Sequence, residues 1–395
     1  MSDDTVRLYD ADSHVAEPVD LWSGDYMPRE FRGASPFSFV DTVLPDGRPA
    51  TLLYERGAIL LENAAYTNAA GVSGDRLAAG VRYVDANSGG WDPKQRLADM
   101  ELAGITHQVI NPSSPGLRLG LVSDPNLAAA MCRAYNDWVT DHCDGCEGRV
   151  SANMVLPWQD LSLAKAELQR VGERFCFVGV IMQPAPAYPS GFPGDRAFDD
   201  VYIEIAERGL ALVFHSCATE EGALGPVVKH YKQFRPYWHA TFYYLILGFP
   251  VEGWTAWAQL VFEGVLDRIP TLKIMLTESH GGWMVTALER MDEYAKGGEA
   301  LRYGFDMEPL KLLPSEYFAR QGFVVFEGDE KTLMYAAEHL GSSMVWALDY
   351  PHADCSFPGG GEDFRKNISA LAPQQQRAIA WDNAARAFNR DNIPT

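Results

Sequence analysis

Residues 177–215 contain three pieces that set the pattern of the chain: FVGVIMQ at 177–183, FDDVYIEIAER at 198–208 and LALVFH at 210–215. The first and third pieces are short apolar runs, which are typical of strands buried on both faces. The middle piece repeats apolar residues at helical spacing. This order predicts two parallel strands that are joined by a crossover helix.

The same alternation of strand and helix recurs on both sides of this segment. Further strands are predicted at 6–15, 105–111, 150–157, 272–278, 322–326 and 344–348, and helices at 92–103, 126–143, 162–174, about 240–268, 283–295, 331–340 and within 361–389. Eight such units predict one α/β domain, 1–395, built as a (β/α)₈ barrel; an open doubly wound sheet is the alternative. No GxGxxG follows the first strand, so a dinucleotide site has no support.

One segment, 16–91, interrupts this alternation after the first strand. Within it, FSFVDTVLPDGRPATLLYERGAILLE at 37–62 is typical of an antiparallel ribbon, with Pro-Asp-Gly as one turn. The rest is rich in Gly, Ala and Asn and is predicted to be loop. Because loops after barrel strands lie on the catalytic face, we expect a lid, a dimer arm or an ordered surface decoration.

The chain is acidic, with a formal net charge of −20 from 33 Lys and Arg residues against 53 Asp and Glu residues. Such a chain is repelled by phosphate backbones and by anionic lipid, so we expect neither nucleic acid nor a membrane as a partner. The N-terminus, MSDDTVRLYDADSH, shows no signal-peptide pattern, and six Cys residues is a low number. We therefore expect a cytoplasmic protein with reduced thiols.

Histidines and carboxylates concentrate where the predicted strands end. The residues concerned are His14, His215, His280 and His352, with Asp12, Glu17, Glu278 and Asp349 beside them. In a barrel the carboxyl ends of the strands meet at one mouth, so distant segments would bring these side chains together. Imidazole and carboxylate ligands suit Zn, Fe, Mn or Co without selecting one of them. The pattern predicts a metal site.

The same positions carry a family resemblance. The motifs are DADSHVAEP (10–18), VFHSC (213–217), TESHGGW (277–283) with LERMDEY (288–294), and ALDYPHAD (347–354). They resemble the amidohydrolase-related, ACMS decarboxylase-like family of metal-dependent decarboxylases, hydrolases and hydratases. The resemblance implies a distorted TIM barrel, often dimeric, in which His215 binds metal, His280 activates water or contacts substrate, and Asp349 is a metal ligand or a base.

Two departures from the family pattern bear on the metal. Asp12 stands where the first His of the usual His-x-His motif is expected, which makes the site more anionic. The fourth strand ends in VIMQP at 180–184, so the carboxylated lysine that bridges two metals in dinuclear amidohydrolases has no counterpart. The resemblance therefore leaves the number of metal ions open.

Two enzyme functions follow from these ligands. In one, a single divalent metal (zinc or manganese among the candidates) is held by Asp12, His14, His215 and Asp349, and His280 is the general base of a hydrolase, decarboxylase or hydratase. In the other, Glu17, Glu278, His280 and His352 complete a carboxylate-rich di-iron centre. That set resembles the TIM-barrel nonheme di-iron monooxygenases, which include the diterpenoid hydroxylases of platensimycin and platencin biosynthesis.

The monooxygenase is the preferred interpretation at this stage. It predicts iron, dioxygen and a bulky apolar, terpenoid-like substrate of secondary metabolism, carried as a CoA thioester. An aromatic segment after the fifth strand supplies an apolar wall, although the same residues would equally pack barrel helices or a dimer interface. We predict Trp238, Phe242 and Tyr350 as substrate-binding residues, and His280, Asp349 and His352 as catalytic ones. Arg96, on a helix, is expected on the surface or in an ion pair.

Overall fold

Eight parallel strands form one sheet in the order β1-β5-β6-β7-β8-β9-β10-β11, and three antiparallel strands, β2-β3-β4, form a second sheet. The structure is a computed structural model that describes residues 6–184, 191–217, 244–297 and 309–390. The strands are β1 Tyr9–His14, β2 Phe37–Val43, β3 Pro49–Glu55, β4 Ala58–Leu61, β5 His107–Asn111, β6 Val150–Val155, β7 Phe177–Met182, β8 Ala211–His215, β9 Lys273–Thr277, β10 Gly322–Glu327 and β11 Met344–Ala347.

The first and last barrel strands come together at their carboxyl ends. The amide of His14 donates a hydrogen bond to the carbonyl oxygen of Tyr350 at 2.6 Å, and the amide of Asp349 donates to the carbonyl oxygen of Asp12 at 3.0 Å. The predicted (β/α)₈ barrel is therefore confirmed, and its closure lies at residues that were predicted to bind metal.

Burial explains the apolar character of the strands. Every residue of β1, β5, β6, β7 and β8 is buried. Their inner faces fill the barrel and their outer faces lie under the helices, so both faces require apolar side chains. The polar residues that these strands do carry are consequently buried as well, and each needs a partner or a function.

Helices cover the outside of the barrel. The α-helices are Gly74–Ala78, Pro93–Ala103, Ser114–Leu117, Pro125–Asp144, Leu161–Val171, Asp199–Glu207, Phe249–Phe262, Val265–Arg268, Trp283–Lys296, Pro314–Gln321, Leu333–Leu340, Gly360–Asn367, Pro373–Arg377 and Asn383–Ala387. The helix Pro93–Ala103 shows how local sequence sets the bounds: the Asp92 side chain accepts a hydrogen bond from the Lys94 amide at 3.0 Å, and Gly104 ends the helix with a φ of 67°.

The helix predicted at about 240–268 is not continuous in the part that the structure describes. A π-helix at Tyr244–Gly248 leads into Phe249–Phe262, and Gly264, with a φ of 73°, separates that helix from Val265–Arg268. The stretch Leu245–Phe262 is apolar and long enough to cross a membrane by length and composition, and 44% of it is buried. Trp257 of the helix Phe249–Phe262 is fully buried against the barrel, so this helix belongs to the outer layer of the barrel.

The ribbon predicted at 37–62 is present as the β2-β3-β4 sheet, with β2 and β3 paired from Phe37↔Glu55 to Val43↔Pro49. The remainder of 16–91 contains short helical turns, which the sequence pattern did not indicate. Arg118, which lies beyond β5, forms an ion pair with Glu55 of β3 and so ties this sheet to the barrel. The role of segment 16–91 as a lid or a dimer arm stays a prediction.

A first prediction concerns the crowded barrel interior. A Cβ atom at Gly179 on β7 would lie 2.4 Å from Oδ1 of Asn153 and 2.9 Å from Cγ2 of Val213. We expect Gly179→Ala to lower the free energy of unfolding by about 1–3 kcal/mol, because the added methyl group overpacks the interior. Gly74→Ala is the matched control, since open space surrounds that position. Urea denaturation measures both, and equal midpoints would contradict the account.

Candidate metal centre

The ends of β1 and β8 supply two histidines and a carboxylate of one cluster. Asp12 and His14 lie at the end of β1, and His215 is the last residue of β8. Ligand atoms of these three residues all lie within 4.8 Å of one another. All three side chains are buried. The parallel strands thus bring together residues that are some 200 positions apart in the chain, as the sequence predicted.

The two imidazoles face each other through their Nε2 atoms. Nε2 of His14 lies 3.1 Å from Nε2 of His215. The Nδ1 atoms contact backbone carbonyl oxygens, of Pro112 at 2.9 Å and of Ser216 at 2.8 Å. Since a carbonyl oxygen only accepts, each Nδ1 carries a hydrogen, and in the neutral form of each ring the Nε2 lone pair points at the other ring. A cation between them relieves this contact.

Carboxylates surround the two Nε2 atoms. Oε2 of Glu278 lies 3.0 Å from Nε2 of His215, and Oδ1 of Asp12 lies 3.5 Å from the same atom. Oδ1 of Asp349 lies 3.4 Å from Nε2 of His14. Because metal–nitrogen and metal–oxygen bonds are about 2.0–2.2 Å, neighbouring ligand atoms about 3 Å apart fit one coordination shell.

An unpaired oxygen supports the same conclusion. Oδ1 of Asp349 is buried and has no hydrogen-bond partner, while Oδ2 accepts a hydrogen bond from Nδ1 of His352 at 2.8 Å. A buried carboxylate oxygen without a partner is costly unless a cation binds it. The His352 ring also stacks on His14, with ring centroids 4.3 Å apart. The donor set therefore fits a divalent cation.

The pKa shifts of Glu278, Asp349 and His14 are those of ligands without their cation. Burial raises the pKa of Glu278 well above its ordinary value, and the Asp349 and Asp12 carboxylates raise it further. Burial likewise raises the pKa of Asp349. The pKa of His14 is lowered by burial and then by His352 and His215. A bound cation would favour the charged carboxylates and the neutral imidazoles that serve as ligands.

A relay of buried amides fixes Asp12, and the sequence analysis missed it. The Asn111 side-chain amide donates to Oδ1 of Asp12 at 2.6 Å, and the Asn153 side-chain amide donates to Oδ1 of Asn111 at 2.7 Å. The amide of Glu278 donates to Oδ2 of Asp12 at 3.0 Å. Two Asn residues within apolar strands are the signal that would have found this relay.

The backbone turns sharply at the site. Glu278 has a φ of 45°, His280 of 54° and Asp349 of 60°. Left-handed conformations are uncommon for residues with a side chain, and they concentrate at functional sites. The turn after β9 also separates two residues that the sequence placed on one face, because Glu278 enters the cluster and His280 does not.

A family model ties this geometry to known proteins. The model described as Amidohydrolase matches residues 9–390. The chain belongs to the amidohydrolase family. The family resemblance of the four motifs is therefore confirmed, together with the TIM barrel that it implies.

Individual relatives of this amidohydrolase-family chain are distant. A γ-resorcylate decarboxylase from Polaromonas sp. is 22% identical over 306 residues, which are 74% of this chain and 86% of the relative. An amidohydrolase structure from Mycobacterium avium subsp. paratuberculosis is 19% identical, covers 97% of each chain and has a TM-score of 0.76. A 5-carboxyvanillate decarboxylase from Novosphingobium aromaticivorans, complexed with manganese and 4-hydroxy-3-methoxy-5-nitrobenzoic acid, is 17% identical over 98% of this chain and 97% of that chain (TM-score 0.67).

These relatives bear on the two enzyme functions unequally. Two of the three are decarboxylases, and one of those is complexed with manganese. They support the single-metal alternative better than the preferred di-iron monooxygenase, and neither iron nor the monooxygenase branch is shown. Both functions agree that the chain is a divalent-metal enzyme of the amidohydrolase family.

Several predicted site residues lie apart from the cluster. Both carboxylate oxygens of Glu17 are held by Ser113: Oε1 by its amide at 2.9 Å, and Oε2 by its hydroxyl. The His280 side chain is 61% exposed, with Nδ1 3.5 Å from a carboxylate oxygen of Glu330. A hydrogen bond to Glu330 raises the pKa of His280 to about 9. Their assignments as a metal ligand and a general base therefore stay predictions that this geometry does not support.

Of the three predicted substrate-binding residues, the structure describes only Tyr350. The Tyr350 ring is buried, and its hydroxyl donates to Oδ2 of Asp99 at 2.6 Å, so it is engaged away from the cluster. Trp238 and Phe242 lie outside the described residues. Two other aromatics of the same segment pack against helices: Trp254 stacks on Trp283 with ring centroids 6.2 Å apart, and Trp257 lies against the barrel core.

The facing imidazoles give a direct prediction. We expect His215→Ala to weaken Mn²⁺ binding by about 100-fold or more, because it removes one of the two nitrogen ligands. Calorimetric titration with Mn²⁺ checks this, with His339→Ala, an exposed helix position, as the control. Unchanged affinity in His215→Ala would remove this residue from the site.

Glu17 offers a test with a pH signature. Burial raises its pKa from the ordinary 4.5 to about 7. The folded protein therefore holds this proton more tightly than the unfolded chain, and stability falls as pH rises from about 4.5 to 7. Glu17→Gln should flatten that slope and leave Mn²⁺ affinity unchanged. Melting curves across this range and metal titration check both; lost affinity would make Glu17 a ligand after all.

Proposed function

We propose that this chain is a divalent-metal decarboxylase that acts on a small aromatic carboxylate. The observation that carries the proposal is the pair of Nε2 lone pairs of His14 and His215, 3.1 Å apart inside a ring of carboxylates. Support comes from the amidohydrolase family and from the decarboxylases among its relatives. Manganese is the metal we propose first, because it is bound in a related decarboxylase.

The residues that would hold the metal are Asp12, His14, His215 and Asp349, with Glu278 at the edge of the shell. The bound cation would supply a Lewis acid for a carboxylate or phenolate oxygen of the substrate. The three carboxylates of Asp12, Asp349 and Glu278 around it would more than balance a charge of +2.

Decarboxylation needs a proton at the ring carbon that loses its carboxylate. Asp349 and His352 share a hydrogen bond of 2.8 Å and can hold that proton beside the metal ligands. Burial lowers the pKa of His352, but the carboxylates of Asp349, Asp354 and Asp12 together raise it, so the net shift is upward. The proton moves to the ring carbon, the carbon–carbon bond then breaks, its electron pair restores the aromatic ring, and CO₂ leaves.

The test uses Mn²⁺-loaded protein and a panel of hydroxybenzoates that includes γ-resorcylate. Release of CO₂ without dioxygen supports the proposal. We expect His352→Asn to lower kcat by about 10²–10⁴-fold with little change in KM, because the amide keeps the contact to Asp349 but cannot transfer a proton. If the metal-loaded enzyme releases no CO₂ from any aromatic carboxylate, the proposed decarboxylase activity is wrong.

A second candidate function rests on the surplus of ligands. Two overlapping groups are present among the described residues: Asp12 with His14 and His215, and His14 with Asp349 and His352. Glu278 adds a third carboxylate between them. One metal ion needs fewer donors, and this composition suits two irons. The corresponding activity is the monooxygenase that hydroxylates a bulky apolar substrate, carried as a CoA thioester.

Metal stoichiometry and dioxygen consumption separate the two functions. Protein loaded with Fe²⁺ under argon is exposed to dioxygen in an oxygen-electrode cell. About two irons per chain, with dioxygen consumed, favour the monooxygenase. Turnover with one Mn²⁺ per chain under argon excludes it. We also propose that the protein is a homodimer and lies in the cytoplasm.

A further inference from the structure

A buried cation lies directly behind the metal centre. Arg96, on the helix Pro93–Ala103, has no exposed surface, so the expected surface position is wrong. Its Nε donates to the carbonyl oxygen of Gly89 at 3.0 Å, its Nη1 to Oε1 of Gln108 at 3.1 Å, and its Nη2 to the carbonyl oxygen of His14. Each of the three guanidinium nitrogens therefore has an acceptor, and one acceptor belongs to a metal-ligand residue.

The Gln108 amide extends this contact to the last barrel strand. Its Nε2 donates to Oδ2 of Asp10 at 3.1 Å, while its Oε1 accepts from Arg96. The other carboxylate oxygen of Asp10 accepts from the amide of Leu348, just before Asp349, at 3.1 Å. A chain of hydrogen bonds thus runs from Arg96 to the backbone that carries Asp349.

A second contact reaches the same two strands. The Arg96 guanidinium carbon lies 5.0 Å from the centroid of the Tyr350 ring, and the Tyr350 hydroxyl donates to Asp99, one turn along the same helix. The carbonyl oxygen of Tyr350 accepts the His14 amide at 2.6 Å. One helix therefore contacts the ends of both β1 and β11, at the place where the barrel closes.

We propose that Arg96 is a positioning residue for the metal centre, which sets the distance between His14 and Asp349 by holding both strand ends from behind. This inference rests on the metal site of the proposed function. The His14 carbonyl is buried, and without Arg96 it would lose its charged donor. The strand end would then relax, and the separation of 3.4 Å between Nε2 of His14 and Oδ1 of Asp349 would no longer be fixed.

The fork of Arg96 explains why a Lys would serve less well. Its donors reach three acceptors in different directions, from Gly89, Gln108 and His14. An ammonium group is a point charge on a flexible stem, and it does not keep this fixed geometry. A role of Arg96 in core stability alone would predict a lower melting temperature with unchanged metal affinity. A positioning role predicts a change in affinity itself.

The test is the dissociation constant of Mn²⁺, measured on the full chain by competition with a fluorescent chelator. We expect Arg96→Met to bind Mn²⁺ about 10–100-fold more weakly than wild type, with Arg96→Lys between the two. The upward shift of the melting temperature on adding Mn²⁺ should shrink in the same order. Arg170→Met is the matched control, because Arg170 pairs with Asp137 and Glu167 on the outer helices.

The outcomes are distinct. If Arg96→Met folds and binds Mn²⁺ with wild-type affinity, the inference is overturned. The proposed function is not affected by that result. If Arg96→Met does not fold, Arg96→Lys decides: wild-type affinity overturns the inference, and weaker binding upholds it. Equal weakening in Arg170→Met would show a general effect of lost stability and would also overturn it. A wild-type protein that binds no Mn²⁺ overturns the proposed function, and the inference with it.

Discussion

Two imidazoles whose Nε2 atoms point at each other, inside a ring of carboxylates, form the constraint on which the site depends. The Nε2 atoms of His14 and His215 are held 3.1 Å apart because each Nδ1 is fixed by a backbone carbonyl oxygen. Neither ring can rotate away without losing that bond. The arrangement is unfavourable without a cation and favourable with one, so the barrel mouth is built for metal.

The rest of the barrel serves to keep this unfavourable arrangement in place. Asn153 and Asn111 orient Asp12 from inside the barrel, through hydrogen bonds of 2.7 and 2.6 Å. Arg96 and Asp99 hold the closing strands from outside it. The ligands therefore lie between two sets of buried polar contacts, and the same burial raises the pKa of Glu278 and Asp349 and lowers that of His14.

The sequence predicted the barrel because its strands are buried on both faces and its helices are not, which gives two distinct periodicities. It also predicted Asp12, His14, His215 and Asp349 together, since parallel strands share one carboxyl edge. It did not separate His280 from Glu278, because the left-handed turn at 278–280 reverses the alternation that a straight strand would have. Glu17 was assigned by its closeness in sequence to His14, but its partner is Ser113, some hundred residues away.

The buried polar contacts behind the ligands were the hardest part to predict. Arg96 sits on a helix in which Lys94 and Glu101 face solvent while Asp99 is buried, and nothing local marks Arg96 as buried. Asn111 and Asn153 are short polar residues within apolar strands, a pattern that also occurs at strand ends without function. The contacts of Arg96 with His14, of Asn111 with Asp12 and of Asn153 with Asn111 join residues distant in sequence, so they follow from the closed barrel and not from spacing along the chain.

The most direct test of the metal centre is the position of manganese in crystals of the Mn²⁺-loaded protein, measured by anomalous scattering. We expect an anomalous peak within about 2.2 Å of Nε2 of both His14 and His215, with Asp12 and Asp349 oxygens completing the shell. A well-ordered, catalytically active crystal form with no peak between these two nitrogens would contradict this expectation.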